Sequence, residues 1–157
     1  MTVNGITLTA PIDSAKSDTV RVWLYPNTAS GNNPIVVQQT ATGSTHLFVA
    51  EFTGAGPSPL DDHVVGVCDG SCPYLGSIAT PNLTLSGNDL VWTWCGTDYS
   101  GYSAVLSSLP ESSTQISQTQ GIGYDEGYRV HTAAGNTYSE CDQLQNGFVV
   151  AVAIKGI

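Results

Sequence analysis

Apolar and polar residues alternate with a period of two in several short stretches, and no stretch shows the 3.6-residue period of an amphipathic helix. Val20, Val22 and Leu24 alternate with Arg21 and Trp23; Leu47, Val49 and Glu51 alternate with Phe48, Ala50 and Phe52. Such alternation predicts strands with one face turned to a core. Further strands are expected at residues 6–10, 35–40, 63–67, 83–85, 90–95, 104–109, 115–119, 128–132 and 148–154. The last run, Phe148 to Ile154, is apolar without alternating, so it is expected to be buried on both faces near the middle of the fold. Its deletion should abolish folding.

Turn-forming residues separate these runs. Asn32-Asn33-Pro34, Gly54-Ala55-Gly56-Pro57, Gly87-Asn88-Asp89 and Ala134-Gly135-Asn136 supply the positive or fixed φ that tight turns need. About ten short strands with such punctuation predict one all-β domain over residues 1–157. The expected architecture is an antiparallel β-sandwich or a closed barrel, stapled by disulfides. A β-trefoil stays open as an alternative, although no shared motif recurs three times along the chain.

Composition then narrows the class. Charged residues make up 11% of the 157 residues, against roughly 25% in an average chain, so hydroxyls, amides and glycine backbone must form most of the surface. With 41% hydrophobic residues there is ample material for a core, which argues against disorder. The net charge of −9 would repel nucleic acid and anionic membrane surfaces, so neither is expected as a partner. No window approaches the roughly 18 apolar residues of a membrane helix. Met1 to Gly5 lacks the basic-then-apolar profile of a signal peptide. The cysteine usage and the scarcity of lysine nevertheless lead us to expect a mature, secreted, extracellular chain.

The four cysteines permit three pairings. Spacing favours a local Cys68–Cys72 link across a glycine-containing turn, with Cys95–Cys141 as the long-range staple. The crossed pairings stay open. A zinc site using His63 with the near pair is the competing reading, but Cys95 and Cys141 lie too far apart in sequence to make the second tight ligand pair of a structural zinc.

Two segments concentrate candidate chemistry. In the first, Trp92 and Trp94 share a strand face and are expected in the core, while Asp98, Tyr99 and Tyr102 follow among glycines, where stacking rings and a hydroxyl-binding carboxylate would suit a sugar. In the second, residues 121–131, Tyr124, Asp125, Glu126, Tyr128 and Arg129 gather in what the flanking glycines suggest is a loop. Asp125 and Glu126 are candidate general acid and base, or, with backbone carbonyls, calcium ligands outside any EF-hand spacing. As neighbours on a strand they would face opposite ways, so a catalytic partner would have to come from elsewhere, with Asp98 or Asp142 as the choices. The alternative for both segments is a solvated turn. Asp61-Asp62-His63 invites a metal reading, but adjacent side chains diverge, and a solvated turn at a strand start is expected instead. No G-x-S-x-G elbow raises any serine to a nucleophile. Asn82-Leu83-Thr84 is an N-glycosylation sequon placed before a strand.

The expectation is thus a secreted, carbohydrate-binding, lectin-like protein that recognises neutral glycans through Asp98, Tyr99, Tyr102, Tyr124, Tyr128 and Arg129. No cofactor is required by it, calcium stays open, and so does oligomerisation. A small polysaccharide hydrolase using Asp125, Glu126 and Asp98 is the first alternative, and would show a perturbed carboxyl in a cleft. An inhibitor or toxin presenting the rigid 54–62 loop is the second.

Overall fold

The computed structural model describes residues 1–8, 11–15, 20–26, 31–38, 47–68, 76–97, 105–106, 114–119, 124–144 and 147–156. Among these residues the regular structure is all strand. In the N-terminal part lie β1 (Thr2–Val3), β2 (Ile6–Thr7), β3 (Asp13–Ala15), β4 (Val20–Val22) and β5 (Ile35–Val36). The middle carries β6 (Leu60–Cys68), β7 (Gly76–Ala79), β8 (Leu83–Leu85), β9 (Asp89–Thr97) and β10 (Val105–Leu106). There follow β11 (Thr114–Thr119), β12 (Tyr124–His131), β13 (Gly135–Thr137), β14 (Glu140–Leu144) and β15 (Gly147–Lys155).

The fold is built on a five-stranded antiparallel sheet in the order β11-β12-β9-β15-β6. β15 pairs with β9 on one side and β6 on the other, and its apolar run is buried throughout, as its lack of alternation predicted. The reason is that both faces of the sheet are covered. On one face Leu90, Trp94, Phe148, Val150, Val152 and Ile154 form a core against Ile12, Val22, Leu24, Phe48 and Phe52 from the N-terminal part. On the other, Val91, Ala151 and Ala153 meet Leu83 and Leu85 of β8, while Cys95 and Val149 meet Ile78 of β7 and Cys141 of β14. The smaller sheets β10-β14-β7 and β13-β8 supply that second cover, and β2-β1-β5 and β3-β4 belong to the first. The sheets are open, so the arrangement is a sandwich in kind.

Cys95 and Cys141 are disulfide-bonded across a sequence separation of 46, joining the middle of the large sheet to the layer above it. Cys68 is also disulfide-bonded; its expected partner, Cys72, lies outside the described residues.

Two expectations are corrected. Residues 47–52 alternate as read, with Phe48, Ala50 and Phe52 half-buried and Leu47, Val49 and Glu51 exposed, but they join no ladder among the described residues. Their alternation comes from laying one side on the sheet face, which needs no strand partner. The polar segment read as a loop is strand from Tyr124 onward, because each residue from Tyr124 to His131 has a register partner on β9, from Gly96 to Asp89. Residues 121–123 lie outside the described residues.

β8 shows how short strands are held without a full ladder. It pairs with β13 on one side, while on the other the N–H groups of Thr84 and of Ser86, just past its end, meet carboxylates of β6. Thr84 N–H donates to Asp62 Oδ2 and Ser86 N–H to Asp61 Oδ2, each at 2.7 Å. Since N–H groups two residues apart point the same way, one acidic pair satisfies what a neighbouring strand would otherwise accept. The Asp61-Asp62-His63 motif is therefore a clamp on backbone N–H groups.

Candidate functional site

A cleft of about 400 Å³ opens between the N-terminal layer and the five-stranded sheet. Trp92 of β9 and Val152 and Ile154 of β15 form its floor, where Val152 and Ile154 are fully packed into the core. Trp23, Tyr25, Phe48 and Phe52 are aromatic walls, and Ile12 and Leu24 close the aliphatic side. Polar groups among the lining residues are the Met1 amino terminus, the Trp23 indole N–H, the Tyr25 hydroxyl, the turn Gly31-Asn32-Asn33 and Glu51; of these Gly31, Asn32 and Glu51 are exposed at the mouth, and the Asn33 amide accepts from Asn4 Nδ2 and donates to the Gly31 carbonyl.

The local sequence explains why the walls stand there. Trp23 and Tyr25 fall on one parity of the extended segment after β4, and Val22 and Leu24 on the other; both parities carry large apolar groups, so one set must face something other than the main core. Trp23 lines the cleft, and its indole Nε1 is buried with no hydrogen-bond acceptor among the described residues. An unsatisfied buried donor costs about 1–3 kcal/mol.

The sequence candidates on β12 support this cleft from behind. Tyr124, Glu126 and Tyr128 alternate onto the face that carries Trp92 and Trp94. Glu126 Oε1 accepts the Trp92 indole N–H at 2.8 Å, which fixes the ring that floors the cleft. Tyr124 meets Phe48 edge-on at 5.0 Å and stacks on Trp94 at 5.5 Å, and Tyr128 meets Phe52 edge-on at 5.6 Å. These offset and T-shaped contacts are the favoured aromatic geometries. Trp94 is core, as expected, and Trp92 is only half-buried and lines the cleft.

Asp125 and Arg129 lie on the opposite face of β12. Arg129 is 2% exposed and donates through Nη2 to Thr137 Oγ1 at 2.7 Å and to the Tyr138 carbonyl at 2.6 Å, and through Nε to His131 at 2.7 Å. Its role in the fold is to tie β12 to the β13 region. Asp125 and Glu126 are 1% and 3% exposed and diverge to opposite faces, as adjacency required, so the two do not flank one bond. Asp98, Tyr99 and Tyr102 lie outside the described residues. No group of three or more His, Cys, Asp or Glu side chains gathers as a metal site among the described residues.

A second pair of carboxylates is electrostatically distinct. Asp89 is fully buried; Gly87 N–H donates to its Oδ2 at 2.7 Å, and its Oδ1 has no hydrogen-bond donor among the described residues. Burial, reinforced by the nearby Asp61 carboxylate, raises its pKa above the ordinary 3.8. At Asp61 partial burial pulls upward too, but the Lys155 ammonium at 2.8 Å and the Ser86 N–H outweigh it, and the net shift is downward. Neither group lines the cleft. A raised carboxyl makes the fold bind the proton more tightly than the unfolded chain, so its contribution to stability is present below about pH 4 and is lost as pH rises through the folded pKa. The Asp89→Asn variant keeps the hydrogen bond from Gly87 without the charge. It is therefore expected to gain melting temperature relative to the parent as pH rises from 4 to 7; parallel melting curves across that range would show Asp89 to be ionised at no cost.

Comparison with known proteins found no matching family model, no matching curated protein and no matching solved structure. The chain is thus placed by its own fold, an all-β protein of antiparallel sheets with a disulfide between layers. No helix among the described residues is long and apolar enough to cross a membrane.

The residues that line the cleft were missed as a site at the sequence level, since Trp23, Glu51 and Phe52 read only as strand positions, Asn32 and Asn33 only as a turn, and Tyr25 stood in no named pattern. The available signal was the placement of large apolar groups on both parities around Val20 to Tyr25, and of two phenylalanines on one parity of residues 47–52.

Proposed function

We propose that this is a secreted carbohydrate-binding protein of lectin type, and that a neutral glycan is received by the aromatic cleft. The observation that carries this reading is the lining, five aromatic rings around a cavity that also carries the Tyr25 hydroxyl, the Trp23 N–H, the Asn32 amide and the Glu51 carboxylate. Rings stack on the C–H faces of sugars while amide and carboxylate groups bond hydroxyls, and a cavity of this size with few polar groups is the usual form of a small-ligand site. The buried Trp23 N–H supplies a donor that a ligand oxygen would satisfy. The disulfides support an oxidising compartment and hence secretion.

The test is binding to an array of neutral glycans in calcium and again in EDTA. Binding to a related set is expected in both conditions, because Asp125 and Glu126 are buried on opposite faces of the sheet. The Trp23→Phe variant keeps a ring and loses the N–H, and is expected to bind roughly tenfold more weakly, the effect of one hydrogen bond of about 1.4 kcal/mol. Absence of binding to every glycan in both conditions would overturn the reading.

A further inference from the structure

We propose that Asp61 and Asp89 share one proton, and that this proton fastens the segment 54–59, one wall of the cleft, to the end of the large sheet. It does so whatever the cleft binds. Antiparallel pairing brings the start of β6 and β9 and the end of β12 and β15 to one end of that sheet, so Asp61, Asp89, His131 and Lys155 all lie there. His131 and Lys155 are the register partners of Asp89 on its two sides.

Asp89 is 0% exposed, and only one of its oxygens has a donor: Gly87 N–H bonds Oδ2 at 2.7 Å, whereas Oδ1 has none among the described residues. The Asp61 carboxylate adjoins it, with Lys155 Nζ 2.8 Å from Oδ1 and Ser86 N 2.7 Å from Oδ2. Two ionised carboxylates side by side repel, but a proton on Asp89 Oδ1 turns that oxygen into a donor, and Asp61 has lone pairs left to accept it. The cluster is then a carboxyl, a carboxylate and an ammonium, with no net charge. Without the proton, two anions face one cation in a chain that already carries −9. The neighbouring charges are engaged elsewhere. His131 accepts the Arg129 Nε–H through Nε2, so that nitrogen is unprotonated, and Arg129 also holds Thr137 and the Tyr138 carbonyl. Asp62 accepts the N–H groups of His63 and Thr84, and β8 and β13 contain no titratable residue.

Lys155 links this cluster to the cleft wall. Its side chain bonds Asp61, its backbone N–H donates to the Pro59 carbonyl at 2.7 Å, and its carbonyl accepts the Gly56 N–H at 3.1 Å. Gly156 N–H donates at 3.1 Å to the carbonyl of Asn88, in the turn that also presents the Gly87 N–H to Asp89. Ala55 and Pro59 line the cleft, as does Ile154. Burial, with the Asp61 carboxylate beside it, raises the Asp89 pKa, so the fold holds this proton more tightly than the unfolded chain does. The fastening is therefore complete in acid and is lost as pH rises through the folded pKa. Once the proton has gone, the repelling pair competes for one ammonium, the end of β15 loosens, and the 54–59 wall is released.

The experiment is an NMR titration of the full chain with carbon-13-labelled aspartate carboxyls, together with amide hydrogen exchange over the same pH range. Asp61 and Asp89 are expected to titrate as a coupled pair in two separated steps, one proton staying on the pair after the exposed carboxyls have ionised. Protection of the Gly56 and Lys155 amides, corrected for intrinsic exchange, is expected to fall about threefold or more from about pH 4 to about pH 7, measured against Val150 in the middle of β15. In Asp89→Asn the side-chain amide donates to Asp61 where the proton did, so that protection should stay high and level with pH. Ionisation of both carboxyls together with the exposed ones would overturn the shared proton. Equal protection of Gly56 and Lys155 at both ends of the range would overturn the fastening, and so would a fall in Asp89→Asn that matches the parent's.

Discussion

Replacing both Cys95 and Cys141 with alanine is expected to lower the stability of the protein by about 4 kcal/mol, from the loss of a cross-link that closes a loop of some 45 residues in the unfolded chain. Both cysteines are fully buried in one cluster with Ile78 and Val149, so alanine keeps the site apolar and loses little beyond the bond itself. For a chain of this length the change corresponds to a fall in melting temperature of roughly 8–16 °C. Against a total stability of typically 5–15 kcal/mol, that loss brings the fold near its limit. Urea unfolding of the oxidised parent and the double variant measures it. A difference under about 1 kcal/mol would mean that the layer containing β14 is held to the large sheet by packing alone.

The second large effect is expected at Gly66. This glycine sits inside β6, opposite Val149, and a Cβ added there would come within 2.3 Å of the Ala79 carbonyl oxygen and 3.0 Å of Val149 Cγ1. The first contact is with backbone, which cannot rotate away. Gly66→Ala should therefore push β7 off β6, at a cost of about 3 kcal/mol, the upper end for overpacking, and a loss of roughly 6–12 °C in melting temperature. Gly56→Ala is the matched control, because nothing lies within 4 Å of the Cβ position there. It should stay within about 0.5 kcal/mol of the parent. A Gly66 variant that melts with the control would show that β7 has room to move. β7 pairs with β14, which carries Cys141, so Gly66 and the disulfide pin the same layer at two points. Their effects are accordingly expected to be non-additive.

The candidate site was legible only in fragments. Tyr124, Glu126 and Tyr128 attracted notice as a dense polar and aromatic group, and they do bear on the cleft. They hold Phe48, Trp92 and Phe52 in place from the strand behind it. A dense cluster in one stretch of chain reads as a loop when no pairing partner is known. The register of β12 against β9 turned the same residues into two buried faces. Asp61 and Asp62 illustrate the same point, since a pair of acids at a strand start looks solvated until the N–H groups of Thr84 and Ser86, more than 20 residues away, arrive beside them.

What the sequence by itself determined is the class. A period of two, turn residues between the runs and a non-alternating apolar segment at Phe148 to Ile154 specify antiparallel strands and one doubly covered strand, because burial of a strand face is a local property of alternation. The cysteine spacing already favoured Cys95–Cys141. Tertiary structure alone decided which segments cover the sheet, that residues 47–52 lie on it without a ladder partner among the described residues, and that Trp23, Tyr25, Phe48, Phe52 and Trp92 surround one cavity. Those residues come from separate stretches of the chain, and a cavity is defined by the distances between stretches, which no local pattern encodes.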